Sequence, residues 1–276
     1  MMKTEIKVLM FGDVVGSLGC ATFQKYASRI KEQYQADFLI VNGENCHTTG
    51  RGITPRLVNF FKHNGADLVT SGNHIWGAKE ILGYWENGDA DLVRPANFPS
   101  VCPGRGHAVL VKDGVRLGIL NLQGRVFMRE HLDCPFRAAD TALSYLKHHS
   151  DAILVDFHAE TTSEKMGLAH YLDGRVAGVV GTHTHVQTAD ERVLPKGTAF
   201  ITDLGMCGAL NGMLGMQIQP VLQNFLTQMP QKFITEQYAP AVVSGVCITI
   251  NLKTGLASQI ERFRVIDDQI KVSESK

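Results

Sequence analysis

Two histidines separated by one residue follow an apolar run in the second half of the chain. His183 and His185 stand in "GTHTH" (181–185), directly after "VAGVV" (176–180). The apolar run predicts a buried strand, and because side chains alternate along a strand, both imidazoles should point the same way from its carboxyl end. Imidazole nitrogens are common metal ligands, so the spacing indicates a metal site if further ligands converge there.

Four other predicted strands also end in side chains that can bind a metal ion. They are Asp13, Glu44 with Asn45, Asn73 with His74, and His158, each at or just after the end of an apolar run. Ligands of open α/β sheets bind beyond the carboxyl ends of the strands, so these side chains are expected to converge. Taken singly, each has a structural alternative: Asp13 could cap the next helix, and His158 could be an ordinary core histidine. Independent structural roles at five strand ends explain the pattern less well than one shared site.

Oxygen and imidazole ligands without a thiolate suit manganese, iron or zinc. A pair of such ions needs a bridging carboxylate, and Glu44 is the predicted bridge. The remaining candidates divide into one set for each ion: Asp13, Asn45 and His185 for the first, and Asn73, His158 and His183 for the second. Two ions generate hydroxide at neutral pH and stabilise both the attacking and the leaving oxygen of an in-line phosphoryl displacement. His74 is not needed as a ligand, which leaves it as the candidate general acid for the leaving alkoxide.

The elements that position these residues alternate between strands and helices. Strands are predicted at 6–12, 38–42, 66–72, 152–158, 176–185, 198–205, 242–250 and 260–266, with a hairpin at 107–124 that turns at Asp113-Gly114. Helices are predicted at 18–34, 54–65 (capped by Thr54), 77–87, 141–149, 163–172 and 217–228. This order predicts a single domain, 1–276, that contains two sheets with parallel neighbours and outer helices. The less regular segments 125–140 and 206–240 are the predicted lids or subunit contacts of a homo-oligomer, with core packing as the alternative for the latter.

Composition limits the classes of partner. The chain has 276 residues, is 44% hydrophobic and carries 27 acidic and 27 basic side chains. The balanced charge argues against an extended nucleic-acid surface or a membrane-surface patch, although a small anionic substrate remains compatible with it. No apolar stretch reaches membrane-spanning length, and the start does not resemble a signal peptide. The six cysteines are scattered without a CxxC pair, which predicts reduced thiols and a cytoplasmic protein.

Taken together, the motifs resemble those of the calcineurin-like metallophosphoesterases. They are "GDVVG" (12–16), "NGEN" (42–45), "SGNH" (71–74), the strand-end His158 and "GTHTH" (181–185). Their sequences are similar to the motifs of the YmdB-type branch. The segments "RPANFP" (94–99), "GRVFM" (124–128) and "TDLGMCG" (202–208) also resemble blocks of that branch. This resemblance covers nearly the whole chain. It implies a four-layer α/β/β/α sandwich, a dinuclear site with iron or manganese (zinc and magnesium being alternatives), and phosphodiesterase activity on 2′,3′-cyclic nucleotides.

Three positions depart from the broader superfamily. Its first motif usually reads Asp-x-His, but this chain has Val15 at the third position, and its second motif usually has Asp in place of Glu44. An acidic residue usually follows the histidine of the third motif, where this chain has Ile75. The first two departures are normal in the YmdB-type branch and therefore favour that branch. The third leaves His74 without an acidic partner at the next position.

The residues alone predict metal-assisted phosphoester hydrolysis without choosing between a monoester and a diester. A monoester generally needs added cationic groups, for which Arg51 and Arg125 are candidates, each with a solvated surface role as the alternative. Phe98 and Phe127 could stack on a base, and core or lid packing is the alternative for both. The leading hypothesis is a diesterase acting on cyclic nucleotides. Its rivals are a phosphomonoesterase or nucleotidase, a regulatory protein that binds a nucleotide or RNA end with slow turnover, and a structural scaffold without metal.

Overall fold

Two mixed β-sheets stack face to face in the computed structural model, which describes residues 3–85 and 91–272. Neighbouring strands of the first sheet are, in order, β2 (Asp13–Val14), β11 (Met206–Ala209), β12 (Ala241–Asn251), β1 (Glu5–Phe11), β3 (Phe38–Asn42) and β4 (Leu68–Thr70), and β13 (Leu256–Asp267) also pairs with β12. The order in the second sheet is β5 (His107–Lys112), β6 (Val115–Gln123), β7 (Ala152–His158), β8 (Gly178–Thr182), β10 (Ala199–Ile201) and β9 (Arg192–Val193).

Within the described residues, the helices lie mainly between successive strands. They are α1 (Gly16–Tyr34), α2 (Pro55–His63), α3 (Pro135–His149), α4 (Thr162–Leu172), α5 (Ile218–Thr227) and a 3₁₀ helix at Lys79–Gly83. In residues 3–85 and 91–272, no helix has both the length and the apolar character needed to cross a membrane.

Three large apolar clusters form most of the core in the described residues. Between the sheets, Met10 of β1 and Leu154 of β7 belong to one buried cluster. On the outer face of the first sheet, α1 contributes Phe23, whose ring lies 5.3 Å from that of Phe11 in β1. On the outer face of the second sheet, α3 and α4 pack against the strands in a third cluster, which includes Leu143. The order helix, sheet, sheet, helix confirms the expected four-layer sandwich.

Parallel pairing brings the candidate strand ends to common edges. β1, β3 and β4 are parallel neighbours, as are β6, β7, β8 and β10. Their apolar runs are buried on both faces, as expected for parallel strands that are covered by helices on one side and by a second sheet on the other. Asn42, the last residue of β3, donates a hydrogen bond to Asp156 of β7, so the two edges meet across the sandwich.

Local signals in the sequence account for several element boundaries. The hydroxyl of Thr54 accepts a hydrogen bond from the N–H of Leu57, and Pro55 opens α2, as predicted. The turn between β5 and β6 has φ of 51° at Asp113 and 79° at Gly114. Two central residues with positive φ match the right-handed twist of a hairpin, so the predicted tight turn is confirmed.

Two predicted helices have different limits in the structure. The helix predicted at 141–149 already begins at Pro135, because proline is favoured in the first turn of a helix and needs no hydrogen-bond partner there. The helix predicted at 77–87 is only a 3₁₀ helix at Lys79–Gly83, and residues 86–87 lie outside the described residues. Glycine disfavours the helix interior, which explains why the regular part ends at Gly83.

Segment 206–240 combines a core strand with an exposed helix. It begins with β11, all of whose residues are buried, and continues into α5, in which no residue is buried. The side chains of α5 therefore face solvent or a cavity. A role for this segment, or for 125–140, as a lid or subunit contact stays a prediction.

Candidate metal centre

His158, the last residue of β7, lies at the centre of a group of candidate ligands. Its Nε2 atom is 3.1 Å from Oε1 of Glu44, 3.0 Å from Oδ1 of Asn73 and 3.0 Å from Nδ1 of His183. Ligand atoms of Glu44, His158 and His183 all lie within 4.8 Å of one another. Four of the seven predicted ligands, which follow four different strands, therefore come together.

The three other predicted ligands lie beside this group. Oδ1 of Asp13 is 3.8 Å from Nδ1 of His158, and Oδ2 accepts a hydrogen bond from the N–H of His183 at 3.1 Å. Oδ1 of Asn45 is 3.3 Å from Nε2 of His185. The charge of Asp13 also interacts with His185 and Glu44. The two predicted ligand sets therefore lie close together: Glu44 contacts His158 of one set and interacts electrostatically with Asp13 of the other.

The arrangement of these oxygen and nitrogen atoms suits a bound cation. Nε2 of His158 can carry one proton at most, yet three acceptor atoms approach it within 3.1 Å. In addition, Oδ1 of Asp13 is buried and has no hydrogen-bond partner among the residues that the structure describes. An unpaired buried carboxylate oxygen is costly, and a metal ion would satisfy it together with the crowded nitrogens. Helix capping does not explain Asp13, because the N-cap of α1 is Val15 and has no side-chain cap.

The histidine pair is oriented by a loop and not by a strand. β8 ends at Thr182, and φ is 100° at His183 and 64° at His185, so the prediction that strand alternation orients both rings was wrong. Two carboxylates stabilise this turn of the chain. Asp13 accepts a hydrogen bond from the N–H of His183, and Asp203 accepts one from the N–H of Thr184, each at 3.1 Å. Both rings still reach the candidate centre.

Each candidate ligand histidine has one ring nitrogen held by a neighbour and the other facing the centre. The hydroxyl of Thr182 lies 2.9 Å from Nδ1 of His158. A carboxylate oxygen of Glu160 lies 3.0 Å from Nε2 of His183. The carbonyl of Leu214 lies 3.0 Å from Nδ1 of His185. Such partners fix the tautomer and the ring orientation of metal-binding histidines.

The sequence interpretation missed a buried polar network beneath the centre. The Thr182 hydroxyl donates to Oδ1 of Asp156 at 2.7 Å and therefore accepts from Nδ1 of His158. Oδ2 of Asp156 accepts hydrogen bonds from Asn42 and Thr70, which lie in the first sheet. The network thus joins the two sheets directly under the candidate ligands. Its signal is the polar residue within or at the end of otherwise apolar strands, as in "FLIVN" and "AILVDFH".

Thr182→Val is expected to weaken metal binding by about 10- to 100-fold, the range typical for loss of a group that orients a ligand. Valine keeps the shape of threonine but cannot accept the proton on Nδ1 of His158, so the ring is free to change its tautomer. Calorimetric titration of metal-free protein with Mn²⁺ measures the affinity. Thr182→Ser should restore it, and Thr184→Val, in the loop that follows β8, should leave it unchanged. Unchanged affinity in Thr182→Val would refute this orienting role.

Gly72 in "SGNH" permits the close approach of the ligands. A Cβ atom at this position would lie 2.3 Å from Cδ2 of His158 and 2.4 Å from Oε2 of Glu44. Any side chain would therefore displace two candidate ligands. This glycine was not singled out from the sequence, although a glycine directly before a ligand is a signal of close packing against the backbone.

The acidic and imidazole groups strongly affect one another's protonation. Burial raises the pKa of Asp13 to about 6, against the opposing effect of His185. Burial would also raise the pKa of Glu44, but the neighbouring His158 outweighs it and lowers the value to about 2. Burial lowers the pKa of His183 to about 3, with a further contribution from His158.

His158 is the group that holds a proton in the metal-free protein. Burial opposes its charged form, but Glu44 and then Asp13 raise its pKa to about 9. A cation that binds Nε2 must displace this proton, so metal binding at neutral pH releases a proton and weakens as the pH falls. The centre therefore stabilises a positive charge, which either a proton on His158 or a metal ion can supply.

A buried ion pair anchors the loop that carries the histidines. Nζ of Lys165 in α4 is 2.7 Å from Oδ2 of Asp203, and both side chains are at most 1% exposed. The same carboxylate accepts the N–H of Thr184 and, through Oδ1, that of Gly205. The pair thus ties α4 to the loop between β8 and β9.

Lys165→Met is expected to lower the free energy of unfolding by about 3–5 kcal/mol, because it leaves the Asp203 carboxylate buried without a cation. Urea-induced unfolding followed by circular dichroism measures the change. Lys147→Met removes an exposed lysine from α3 and is expected to change stability by less than about 0.5 kcal/mol. A Lys165→Met protein as stable as this control would contradict the role of the pair.

His74 and Arg51 face an open cavity at the centre. The N–H of His74 donates to Oε2 of Glu44 at 3.0 Å. His74 lines the cavity together with Arg51 and four candidate ligands, Glu44, Asn45, His183 and His185. Burial lowers the pKa of His74; nearby Glu44 opposes this effect and Arg51 adds to it. The cavity, of about 660 Å³, has the size of a small-molecule site.

The other candidates for substrate contact do not line this cavity. Arg125 and Phe98 border a different one. Phe98 is 8% exposed and its ring lies 5.7 Å from that of Trp76, so core packing accounts for it. Phe127 is 87% exposed. Of the two arginines considered, only Arg51 lies at the centre.

Comparison with known proteins gives matches over nearly the whole chain. A model of the family described as YmdB-like protein matches residues 9–263. The chain is 44% identical over 265 residues to a Bacillus subtilis protein named 2′,3′-cyclic-nucleotide 2′-phosphodiesterase, covering 96% of this chain and 99% of that protein.

Solved structures share the fold. A structure described as a novel phosphatase of Mycoplasma pneumoniae superposes with a TM-score of 0.89 at 34% identity, covering 97% of this chain and 95% of that one. The NAD nucleotidase of Haemophilus influenzae gives 0.60 at 13% identity, covering 95% of this chain and 56% of that one, and this likeness concerns the fold alone. The resemblance drawn from the motifs is confirmed: the chain belongs to the YmdB-like protein family.

Proposed function

We propose that this protein is a metal-dependent phosphodiesterase that hydrolyses 2′,3′-cyclic nucleotides. One observation carries the proposal: three acceptor atoms crowd Nε2 of His158 beside a buried oxygen of Asp13 that has no hydrogen-bond partner in residues 3–85 and 91–272. That arrangement fits bound cations at the edge of a nucleotide-sized cavity. The name of the Bacillus subtilis relative supports the substrate class.

Seven side chains would hold two metal ions in this proposal. Glu44 would bridge them, and the remaining ligands would be Asp13, Asn45 and His185 for one ion, and Asn73, His158 and His183 for the other. Iron or manganese suits this mixed oxygen and nitrogen set, with zinc and magnesium as alternatives. Such ions supply Lewis-acid activation of a phosphoester and of the water that attacks it.

His74 would act on the leaving oxygen. It lines the cavity without belonging to the group of donor atoms around His158, so its ring can hold a proton for the substrate. As one P–O bond of the cyclic diester breaks, a ring nitrogen of His74 would transfer that proton to the departing ribose oxygen. Burial alone disfavours the protonated ring, but the negative charge of a bound phosphoester opposes that effect.

Arg51 would balance the substrate's charge. It is the arginine that lines the cavity, and a diester carries one negative charge where a monoester carries up to two. A single nearby arginine therefore suits a diester. The description of the Mycoplasma pneumoniae structure as a phosphatase keeps monoester hydrolysis as the second candidate.

We expect the protein to act in the cytoplasm on a small substrate. All six cysteines are free, which suits a reducing, cytoplasmic compartment. The partner would be a small phosphoester and not a membrane or a long nucleic acid. The apolar residues of α5 support either a lid or a contact in a homo-oligomer.

Product analysis tests the proposal. Manganese-loaded protein is incubated with 2′,3′-cyclic AMP, and the nucleotides are separated; adenosine 2′- or 3′-monophosphate should accumulate without further conversion to adenosine. Conversion to adenosine would instead favour a monoesterase. Tight nucleotide binding without product, from protein shown to hold metal, would favour a regulatory binder. Chelator-treated protein is the control.

A further inference from the structure

The cavity at the metal centre has two walls of opposite character. One wall carries the candidate ligands with Arg51 and His74. The other wall comes from segment 206–240 and is mainly apolar: besides Gly212 and Asn224, it contains Met213, Leu214, Met216, Val221, Phe225 and Phe233. A phosphate alone needs only the first wall. The second offers apolar contact to a larger group that is attached to the phosphate.

The apolar wall is fixed relative to the ligands. The carbonyl of Leu214 lies 3.0 Å from Nδ1 of His185, so the wall and a candidate ligand share a contact. The hydroxyl of Thr235 donates to the carbonyl of Thr48 at 2.9 Å. At Gly50, a Cβ atom would lie 2.5 Å from Cε of Met216, so the wall packs closely on the loop after Glu44. A ligand that binds the metals therefore meets this wall at a set distance.

Phe225 is the aromatic ring that α5 presents at the cavity. Val221 and Phe225 are four residues apart, so they share one face of the helix, and both line the cavity. Phe225 is 64% exposed, so it is not part of the packed core. Leu222 and Leu226 lie on a neighbouring face and do not line the cavity. Among the wall residues on α5, only Phe225 has a flat ring for stacking.

We infer that this wall is a nucleobase subsite, in which Phe225 stacks on the base of the substrate. The inference rests on the proposed function for the identity of the ligand and adds the part of the ligand that segment 206–240 recognises. Stacking on an aromatic ring tolerates every base, because each base has a π-face. The enzyme would then prefer cyclic nucleotides over cyclic phosphodiesters without a base, while accepting different bases.

Phe225→Ala tests the subsite with two substrates. One is 2′,3′-cyclic AMP, and the other is the methyl riboside 2,3-cyclic phosphate, which has the same phosphodiester but no base. The variant should lower kcat/KM for cyclic AMP about tenfold, mostly through KM, as expected for the loss of one base–aromatic stack. The base-free substrate should change less than about twofold, since the stack is absent there. Because Phe225 is exposed, the fold should be unaffected.

Two variants serve as controls. Leu226→Ala removes a comparably exposed apolar side chain from α5, 70% exposed, on a face outside the cavity, and should leave both substrates unchanged. Phe225→Tyr keeps the ring and should keep the preference for cyclic AMP. Equal losses on both substrates in Phe225→Ala, or no loss on cyclic AMP, would overturn the subsite while leaving the proposed function intact.

If neither substrate is hydrolysed, a binding experiment tests the nucleobase subsite separately from the proposed function. The metal-loaded protein is titrated with adenosine 3′-monophosphate and with methyl riboside 3-phosphate. Tighter binding of the nucleotide, lost in Phe225→Ala, would support the subsite even though the proposed hydrolysis had failed. Equal affinity for the two ligands would overturn the subsite.

Discussion

Glu44→Ala is expected to remove at least one metal ion and to abolish hydrolysis of 2′,3′-cyclic AMP. The carboxylate lies 3.1 Å from Nε2 of His158, and its second oxygen accepts the N–H of His74. Glu44 is the proposed bridge, so its loss should disturb both ligand sets. The loss should therefore exceed the roughly 10- to 100-fold that follows from removing a group that only supports a ligand. Elemental analysis and initial-rate kinetics on the same preparation measure both effects.

A matched carboxylate checks that the effect is specific. Glu5→Ala removes an exposed acid at the opposite end of β1 from the centre and should keep full metal content and activity. Retention of two metal ions by Glu44→Ala would show that Glu44 is not the bridge. Loss of both metals together with unfolding would instead place its main role in the fold, which a thermal melt of the variant reveals.

His74→Asn is expected to keep both metal ions and to slow turnover by about 10²- to 10⁴-fold, the usual contribution of a positioned general acid. The side chain lines the cavity, whereas the bond to Glu44 comes from the backbone N–H, which asparagine retains. Because a poor leaving group needs a proton more than a good one, the loss should be largest for a ribose oxygen. An activated nitrophenyl diester should lose much less.

His47→Asn is the control for this variant. His47 belongs to the loop after Glu44, but its Nδ1 contacts the hydroxyl of Thr49 and it does not line the central cavity. It should therefore retain wild-type rates on both substrates. Equal losses on the nitrophenyl ester and on cyclic AMP in His74→Asn would rule out proton donation and favour a role in positioning the phosphate.

The sequence predicted the candidate ligands because they stand at strand ends. Parallel strands joined by helices bring their carboxyl ends to one edge, so the positions of Asp13, Glu44 and His158 could be inferred from alternating apolar segments. The four-layer sandwich was available only through the resemblance of the motifs. Local signals were sufficient for α2 and for the hairpin at Asp113-Gly114, since caps and tight turns depend on adjacent residues.

Features that depend on distant residues could not be read from the sequence. The Asp156 network joins residues from four strands in two sheets, and no local pattern reveals which strands face each other. The turn at His183 depends on a carboxylate 170 positions away, that of Asp13. The wall that contains Phe225 belongs to a segment with no strand-end motif, so only its placement over the ligands connects it to the site.

A metal titration tests the dinuclear centre most directly. Metal-free protein receives increasing Mn²⁺, and the ions bound per chain and the rate of 2′,3′-cyclic AMP hydrolysis are measured at each step. Two ions should bind per chain, and the rate should reach its maximum only as the second site fills. Full activity with one ion or none per chain would contradict a two-metal centre formed by these seven residues.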